Sequence, residues 1–130
     1  MKAVKTLCAS LALSVVAAAT FAHHSTNGIY DEERELELTG KVISWKFINP
    51  HPTLKLEVVN EQGVAEEWDL SYGGSAVTHL VRRGYSADTF KPGDMIKATG
   101  HPALLEGARG LLMEGTGDPV KADGTPIIQR

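Results

Sequence analysis

Cysteine is almost absent from this sequence, because the only one among its 130 residues is Cys8, close to the amino terminus. A single thiol can form neither an internal disulfide nor a thiolate cluster for a metal ion. Lipoprotein processing needs an aliphatic residue three positions before the cysteine and a small residue directly before it, whereas Cys8 has Lys5 and Leu7 at these positions. We therefore expect a fold that is held together by packing alone and carries no lipid anchor.

Long hydrophobic runs are also missing. The most apolar stretch, Leu7 to Ala19, is shorter than the roughly 20 residues that span a bilayer. Lys2 and Lys5 precede it, and Thr20-Phe21-Ala22 follows it with small residues at the positions that a signal peptidase reads. We predict that residues 1–22 are a cleaved signal peptide, that the protein is exported to the periplasm, and that it is not membrane-embedded.

Basic residues are scarce once the predicted signal peptide is removed. Lys2 and Lys5 leave with it, so 11 Lys and Arg residues face 16 Asp and Glu residues, a net charge of −5 with neutral histidines. A nucleic-acid partner would require a concentrated basic patch, so this class of partner is excluded. The remaining 108 residues are enough for one small domain with one core.

Alternating apolar and polar residues after Arg34 predict a series of β-strands. In the first strand the parity of the alternation changes near Gly40, which favours a long strand bent by a bulge. Three further strands are predicted over Leu54–Val58, Trp68–Tyr72 and Met95–Gly100, and a short one over Leu111–Glu114. They are connected by a hairpin loop at 60–63, a helix over 76–83 between an N-cap Ser75 and a C-terminal Gly84, a turn at 91–94, and a glycine-rich loop over 101–110. In the tail, Ile127-Ile128 either pairs as a sixth strand or frays.

This order of elements is typical of an oligonucleotide/oligosaccharide-binding (OB) barrel, in which a helix lies between strands 3 and 4. We predict a flexible N-terminal arm over residues 23–34 and a single OB-like five-stranded β-barrel domain over residues 35–130. The alternative is a small antiparallel β-sandwich with a surface helix.

Several short blocks of the sequence form a recognisable series. They are Ala22-His23-His24-Ser25, Trp45-Lys46-Phe47-Ile48-Asn49-Pro50-His51, Trp68, Gly74-Ser75, Leu80-Val81-Arg82-Arg83-Gly84-Tyr85, Lys91-Pro92-Gly93-Asp94, Gly100-His101-Pro102 and Asp123-Gly124. In these blocks the chain resembles a small exported bacterial family recorded as a domain of unknown function. The similarity covers nearly the whole mature chain, and the Asn-Pro-His block is its most specific part. The resemblance implies export and a compact β-rich domain and supplies no catalytic assignment. Tyr85 stands where tryptophan is expected, and Leu104-Leu105-Glu106 makes the loop after His101 more apolar than expected.

Histidines are the candidate metal ligands. If the mature chain begins at His23, its α-amine, the side chains of His23 and His24 and the amide between them form a nitrogen-rich chelate. Such a site favours Cu(II) over other common divalent ions. His51, in the loop after the first strand, is the leading candidate to complete it from the barrel, and His101, at the end of the fourth strand, is a reserve. We predict a copper-binding module with these four histidines as ligands.

Other interpretations stay open at this stage. The histidines could be structural, in which case the protein is a cell-envelope module that binds a protein or a glycan. A histidine-brace copper enzyme acting on oxygen or peroxide is a third interpretation. Trp45 and Trp68 could form a stacking platform, but in so small a domain they are expected in the core. No nucleophile motif or metalloprotease motif is present, so the sequence favours binding over catalysis.

Overall fold

The computed structural model describes residues 28–129, so the predicted signal peptide and both N-terminal histidines lie outside the described residues. Within that range no helix is long and apolar enough to cross a bilayer. The elements are β1 (Leu36–Lys46), β2 (Thr53–Val59), β3 (Ala65–Ser71), α1 (Val77–Arg82), β4 (Met95–Pro102), β5 (Gly110–Leu112) and β6 (Val120–Lys121). β4 therefore extends two residues into the segment that was predicted as a loop, and β5 is shorter than expected.

The first five strands form the predicted OB-like closed barrel. Their order is β1-β2-β3-β5-β4, and the additional pairing of β1 with β4 closes the ring. β1 can serve both neighbours because its N-terminal half pairs with β4 and its C-terminal half pairs with β2. Within residues 28–129 one short helix lies between β3 and β4, as predicted, and because the sheet closes on itself the sandwich alternative is wrong.

The bulge in β1 is real, but it lies after Gly40. The register between β1 and β2 shifts between Val42 and Ser44, so Ile43 is the extra residue. Before the bulge, the buried residues of β1 are at even-numbered positions up to Val42. After the bulge, the odd-numbered Trp45 packs against the core. Gly40 has a different role, because a Cβ there would lie 2.7 Å from the backbone oxygen of Glu57. A side chain at this position would prevent the close approach of β1 and β2.

Inward-facing residues of the strands fill the barrel, as the alternation predicted. In β2 and β3 the inward set includes Leu54, Leu56 and Leu70, all almost fully buried. Aromatic side chains fill one end of the same core. Since burial of each such side chain contributes about 1.5–3 kcal/mol, packing suffices as the main source of stability.

The helix cap differs from the prediction. Ser75 is not the N-cap; that position is Ala76, and it makes no side-chain cap hydrogen bond. Instead, the Asn49 Oδ1 in the β1–β2 loop accepts a hydrogen bond of 3.1 Å from the Val77 amide. A cap from a residue 28 positions earlier satisfies one of the amides that a helix start leaves without a partner. This bond ties the Asn-Pro-His loop to the helix.

Gly84 ends the helix as predicted. It adopts a φ of 96°, a left-handed conformation that favours glycine. Its amide donates to Val81 O, and the amide of Tyr85 donates to Leu80 O, which is the hydrogen-bond pattern of a Schellman motif. Tyr85 is thereby turned back into the core.

The C-terminal tail pairs at a different place from the predicted one. The sixth strand is Val120–Lys121, which pairs with Lys97 and Ile96 of β4. Ile128 does not extend a sheet and does not fray, because it is 8% exposed and packs in the core beside Gly84. The tail thus completes one side of the barrel with a two-residue strand and one buried side chain.

Candidate functional site

His101 lies on the outer face of β4, near the end of the strand. The alternation of β4 buries Ala98, Gly100 and Pro102, so the intervening His101 faces outward and is partly exposed. Its Nδ1 lies 2.9 Å from the backbone oxygen of Arg34. A carbonyl oxygen can only accept, so in the neutral imidazole Nδ1 carries the proton and Nε2 keeps its lone pair. His101 therefore presents Nε2 as a possible ligand atom.

The segment that precedes β1 lies along the end of β4. Tyr30 forms an antiparallel bridge with Ala103. The Asp31 amide donates to Pro102 O over 2.8 Å, and the Leu104 amide donates to Ile29 O over 2.9 Å. Residues 23–27 of the predicted flexible arm lie outside the described residues, but the described part is hydrogen-bonded to the barrel.

The loop between β4 and β5, over residues 103–109, supports this segment and is itself anchored to β3. Arg109 donates through Nη2 to Glu66 Oε1 over 2.9 Å, and Arg109 O accepts from the Asp69 amide. The Arg109 guanidinium, with a further bond from Asn60, lowers the pKa of the Glu66 carboxyl. This exposed loop is therefore anchored to β3 through Arg109, and the N-terminal segment is hydrogen-bonded to this anchored loop.

His51 is exposed in the β1–β2 loop, next to Pro52 and two residues after the helix-capping Asn49. The strand registers separate it from His101. His101 pairs with Leu112, Leu112 pairs with Ser71, and Ser71 pairs with Thr53. Three strand spacings of about 4.8 Å put roughly 14 Å between His101 and Thr53 along the sheet. His51 lies two residues before Thr53, at the far end of this path, so the register does not pair the two histidines.

No group of three or more His, Cys, Asp or Glu side chains that could hold a metal ion occurs within residues 28–129. His79, the remaining histidine of this range, is exposed on α1. The predicted ligands His23 and His24 lie outside the described residues, so the described chain offers single histidines on separate elements. A site that uses His101 must obtain its other ligands from elsewhere.

The aromatic residues form a core cluster and not an exposed platform. Trp45 is at its centre, with ring centroids 5.2 Å from Phe90, 5.3 Å from Phe47 and 5.7 Å from Tyr72. The Trp45 Nε1 donates to Ser86 O over 2.8 Å. Tilted and edge-on contacts of this kind stabilise a core. The geometry therefore does not support the interpretation in which a base or sugar of a ligand stacks on Trp45.

A polar network that the sequence did not reveal closes the same end of the barrel. The hydroxyl of Tyr85 donates to Asp118 Oδ1 over 2.7 Å, and the same oxygen accepts from Arg83 Nη2. Burial, followed by the bond to Asp118, raises the pKa of Tyr85. Burial and the neighbouring Tyr85 raise the pKa of Tyr72 as well. Asp118 follows Tyr85 by 33 residues, a separation at which no local pattern indicates a contact.

The outer face of β2 and β3 carries paired charges. Lys55 lies 3.3 Å from a Glu67 oxygen and 3.4 Å from an Asp69 oxygen, and these carboxylates raise its pKa. Lys41 pairs with Glu57 across β1 and β2. Glu67 and Asp69 therefore make cross-strand ion pairs on a solvated face, and this geometry supports a structural role better than an acid–base pair.

The Gly73-Gly74 turn before the helix does not cradle an anion. A Cβ on Gly73 would lie 2.1 Å from Glu114 Oε2, so the carboxylate of Glu114 is packed against this turn. A phosphate would meet a negative charge there. The two glycines serve the turn, as the sequence suggested.

Comparison with protein families matches residues 11–112 to a family of unknown function, DUF6152. Comparison with curated proteins gives no match. The matched range contains the five barrel strands and ends at the last residue of β5, so the barrel and His101 belong to the family pattern, while β6 and the tail lie beyond it. The chain belongs to this family of unknown function.

Proposed function

We propose that the protein is an exported, periplasmic metal-binding module that binds copper through its N-terminal nitrogens and His101. The ligands are the α-amine and imidazole of His23, the imidazole of His24 and Nε2 of His101. His51 remains a further candidate. The observation that carries the proposal is the 2.9 Å contact of His101 Nδ1 with Arg34 O.

This contact supports the proposal because of what it does to the imidazole. Histidines that bind metals almost always donate their other ring N–H to a carbonyl or a carboxylate, which fixes the tautomer and orients the ring. His101 has that arrangement with Nε2 directed away from the hydrogen bond. The carbonyl oxygen that accepts this hydrogen bond, Arg34 O, belongs to the segment that leads to the N-terminal histidines.

The chain can reach the site. Ile29 is hydrogen-bonded to Leu104, three residues after His101, which is about 10 Å along an extended chain. His23 precedes Gly28 by five residues, and an extended segment of that length spans up to about 17 Å. The N-terminal histidines can therefore fold back to His101 without moving the docked segment. His51, which the strand register does not pair with His101, is a poorer partner, so His101 replaces it as the leading ligand from the barrel.

Copper is the favoured metal because of the ligand set. The proposed donors are nitrogens, and neither thiolate nor methionine sulfur is included. Nitrogen-rich sites bind Cu(II) most tightly among the common divalent ions. The predicted start at His23 matters here, since only a free α-amine can join the chelate.

The test is a Cu(II) titration of the mature protein, with its first residue established by mass spectrometry. We expect one copper ion per chain and nitrogen coupling in the electron paramagnetic resonance spectrum. The variant His101→Ala should weaken binding by at least about 10-fold. One additional residue before His23 should weaken binding too, because it displaces the α-amine.

His79→Ala is the matched control, because His79 is exposed on α1 and belongs to no proposed site. It should leave the copper affinity unchanged, and all variants should remain folded, with a lower unfolding midpoint expected only for His101→Ala, which loses the hydrogen bond to Arg34 O. Equal affinity of His101→Ala and wild type would refute the role of His101. A mature chain that begins elsewhere would refute the N-terminal chelate.

An interaction module of the cell envelope is the second candidate, and one observation favours it. Ile29, Leu104 and Leu105 are 56%, 53% and 76% exposed, and the backbone bond between Ile29 and Leu104 places two of them side by side. Exposed apolar side chains on one loop can mark a protein contact. Leu105→Asp should then abolish capture of an envelope protein in a periplasmic cross-linking experiment while leaving copper binding unchanged.

A further inference from the structure

A cleft of about 430 Å³ lies at the start of β4, away from the proposed copper site. One wall comes from the segment that connects the helix to β4, and the other comes from the tail around β6. Its volume lies within the range of small-molecule sites. Its lining residues include Asp94, Met95, Ile96, Lys121, Asp123 and Ile127.

The base of the cleft is apolar. Ile96 is a core residue, Ile127 packs against the core, and Met95 is 49% exposed. Met95 is held at the edge of the sheet because its backbone oxygen accepts from the Ala122 amide over 3.1 Å. Its side chain therefore offers hydrocarbon and thioether surface to a bound molecule.

Two carboxylates, those of Asp94 and Asp123, line the mouth of the cleft. Ile96 pairs with Lys121, and the bond between Met95 and Ala122 continues this register by one residue. Asp94 immediately precedes β4, and Asp123 lies in the turn after β6, so both reach the cleft from turns beside the paired strands. Like charges that line one cleft repel each other, and a positively charged ligand reduces that repulsion.

These carboxylates are not neutralised by an ion pair within the described part of the chain. Asp123 is instead held by the Thr125 amide and hydroxyl, over 2.9 and 2.7 Å, and these bonds lower its pKa, with a smaller effect from the charge of Lys121. Asp94 accepts from the Lys91 amide over 2.9 Å. In each case the bonds occupy one oxygen, Oδ1 of Asp123 and Oδ2 of Asp94.

We propose that this cleft binds a small aliphatic amine. The ammonium group lies between Asp94 and Asp123 and relieves their repulsion, while the hydrocarbon chain lies on Met95, Ile96 and Ile127. A cation is favoured over an anion because the mouth carries two carboxylates against one lysine, and because acidic residues outnumber basic ones in the whole chain. The hydrocarbon base of the cleft favours an organic ammonium over a hydrated metal ion.

This site is independent of the proposed copper site. Met95 precedes His101 by six residues of one strand, which is about 20 Å in an extended conformation. None of the residues that line the cleft is a proposed copper ligand. Either proposal can therefore fail without affecting the other.

The experiment is an NMR titration of the full mature chain with three probes of similar size, namely pentylamine, pentan-1-ol and pentanoate. We expect pentylamine to shift the amide signals of residues 94–96 and 121–127 with saturation, and to bind more weakly as the salt concentration rises. Pentanol, which lacks the charge, and pentanoate, which reverses it, should bind at least about 10-fold more weakly. Equal binding of pentanol would overturn the role of the carboxylates.

Asp94→Asn and Asp123→Asn are suitable variants because an amide oxygen can still accept the turn hydrogen bonds. Each should weaken pentylamine binding by about 10-fold or more, since a hydrogen bond to a charged group is lost. Asp88→Asn is the control, because Asp88 is an exposed carboxylate on the same connecting segment that does not line the cleft. Unchanged binding in both cleft variants, or no saturable shift with pentylamine, would overturn the proposal.

Discussion

Asn49 is the residue through which the β1–β2 loop supports the helix. Its Oδ1 accepts from the Val77 amide, and the N-cap residue Ala76 contributes no side-chain bond. We expect Asn49→Ala to lower the free energy of unfolding by about 1 kcal/mol, the usual cost of losing a helix cap. Urea denaturation followed by circular dichroism measures this change.

Asn49→Asp is the matched control for that prediction. Aspartate keeps the acceptor oxygen and places a negative charge at the helix start, where it is favourable. Its free energy of unfolding should equal or exceed that of the wild type. A loss in Asn49→Asp as large as that in Asn49→Ala would contradict the capping role.

Tyr72 and Tyr85 make the stability of the protein depend on alkaline pH. Burial raises the pKa of both phenols, so the folded protein keeps protons that the unfolded chain loses. Their contribution is complete below pH about 10, the ordinary tyrosine pKa, and is lost as the pH rises toward the higher pKa values of the folded state. The free energy of unfolding should fall above pH 10 by up to about 1.4 kcal/mol per pH unit for each tyrosine.

Tyr85→Phe separates this effect from other titrations. It removes one buried phenol and its bond to Asp118, so it should lower stability at pH 7 by about 1 kcal/mol and reduce the slope above pH 10. Guanidinium denaturation between pH 7 and 11 gives both values. An unchanged alkaline slope in Tyr85→Phe would show that this phenol does not contribute to it.

At the scale of elements, Gly100 allows β4 and β5 to meet. A Cβ at this position would lie 2.5 Å from Leu112 O and 2.7 Å from Leu111 Cγ. The backbone atoms of Leu112 cannot move aside as a flexible side chain can. Gly100→Ala should therefore lower the free energy of unfolding by about 1–3 kcal/mol or prevent folding. Gly74→Ala is the control, because a Cβ there meets nothing within 4 Å, and its unfolding midpoint should match that of the wild type.

How far elements can be predicted from sequence depends on how local their causes are. The alternation in β2 and β3 and the glycine that ends α1 act over a few residues, and each was predicted. The parity switch beside Gly40 predicted the bulge, which lies between Val42 and Ser44, but the reason for the glycine itself, its close approach to Glu57, was not predicted. The cap from Asn49 and the burial of Ile128 depend on contacts between distant parts of the chain, which periodicity does not record.

The same reasoning applies to the candidate sites. Residue type alone selected His101 as a possible ligand, but its orienting partner, Arg34 O, lies 67 residues away in sequence. The cleft carboxylates were not predicted as a pair, because Asp94 had been assigned to a turn and Asp123 to the tail. The pairing of β4 with β6 brings the two turns that carry them to one cleft.

At the scale of the whole molecule, β1 joins the two sides of the barrel into one unit. It pairs with β4 through Leu36–Lys41 and with β2 through Lys41–Lys46, so neither side can close without it. The fluorescence of Trp45 reports on the aromatic cluster, and the fluorescence of Trp68 reports on β3, where Trp68 pairs with Leu56. The two tryptophans therefore lie in different surroundings of a single core.

We expect the barrel to unfold in one cooperative transition, since it has one core that all strands share. In the single-tryptophan variants Trp68→Phe and Trp45→Phe, fluorescence should change at the same urea concentration as circular dichroism does within each variant. Two tryptophan probes are needed because one probe could follow a local change at its own end. If the fluorescence of either variant changed before its circular dichroism, β1 would not couple the two sides, and the barrel would consist of parts that open separately.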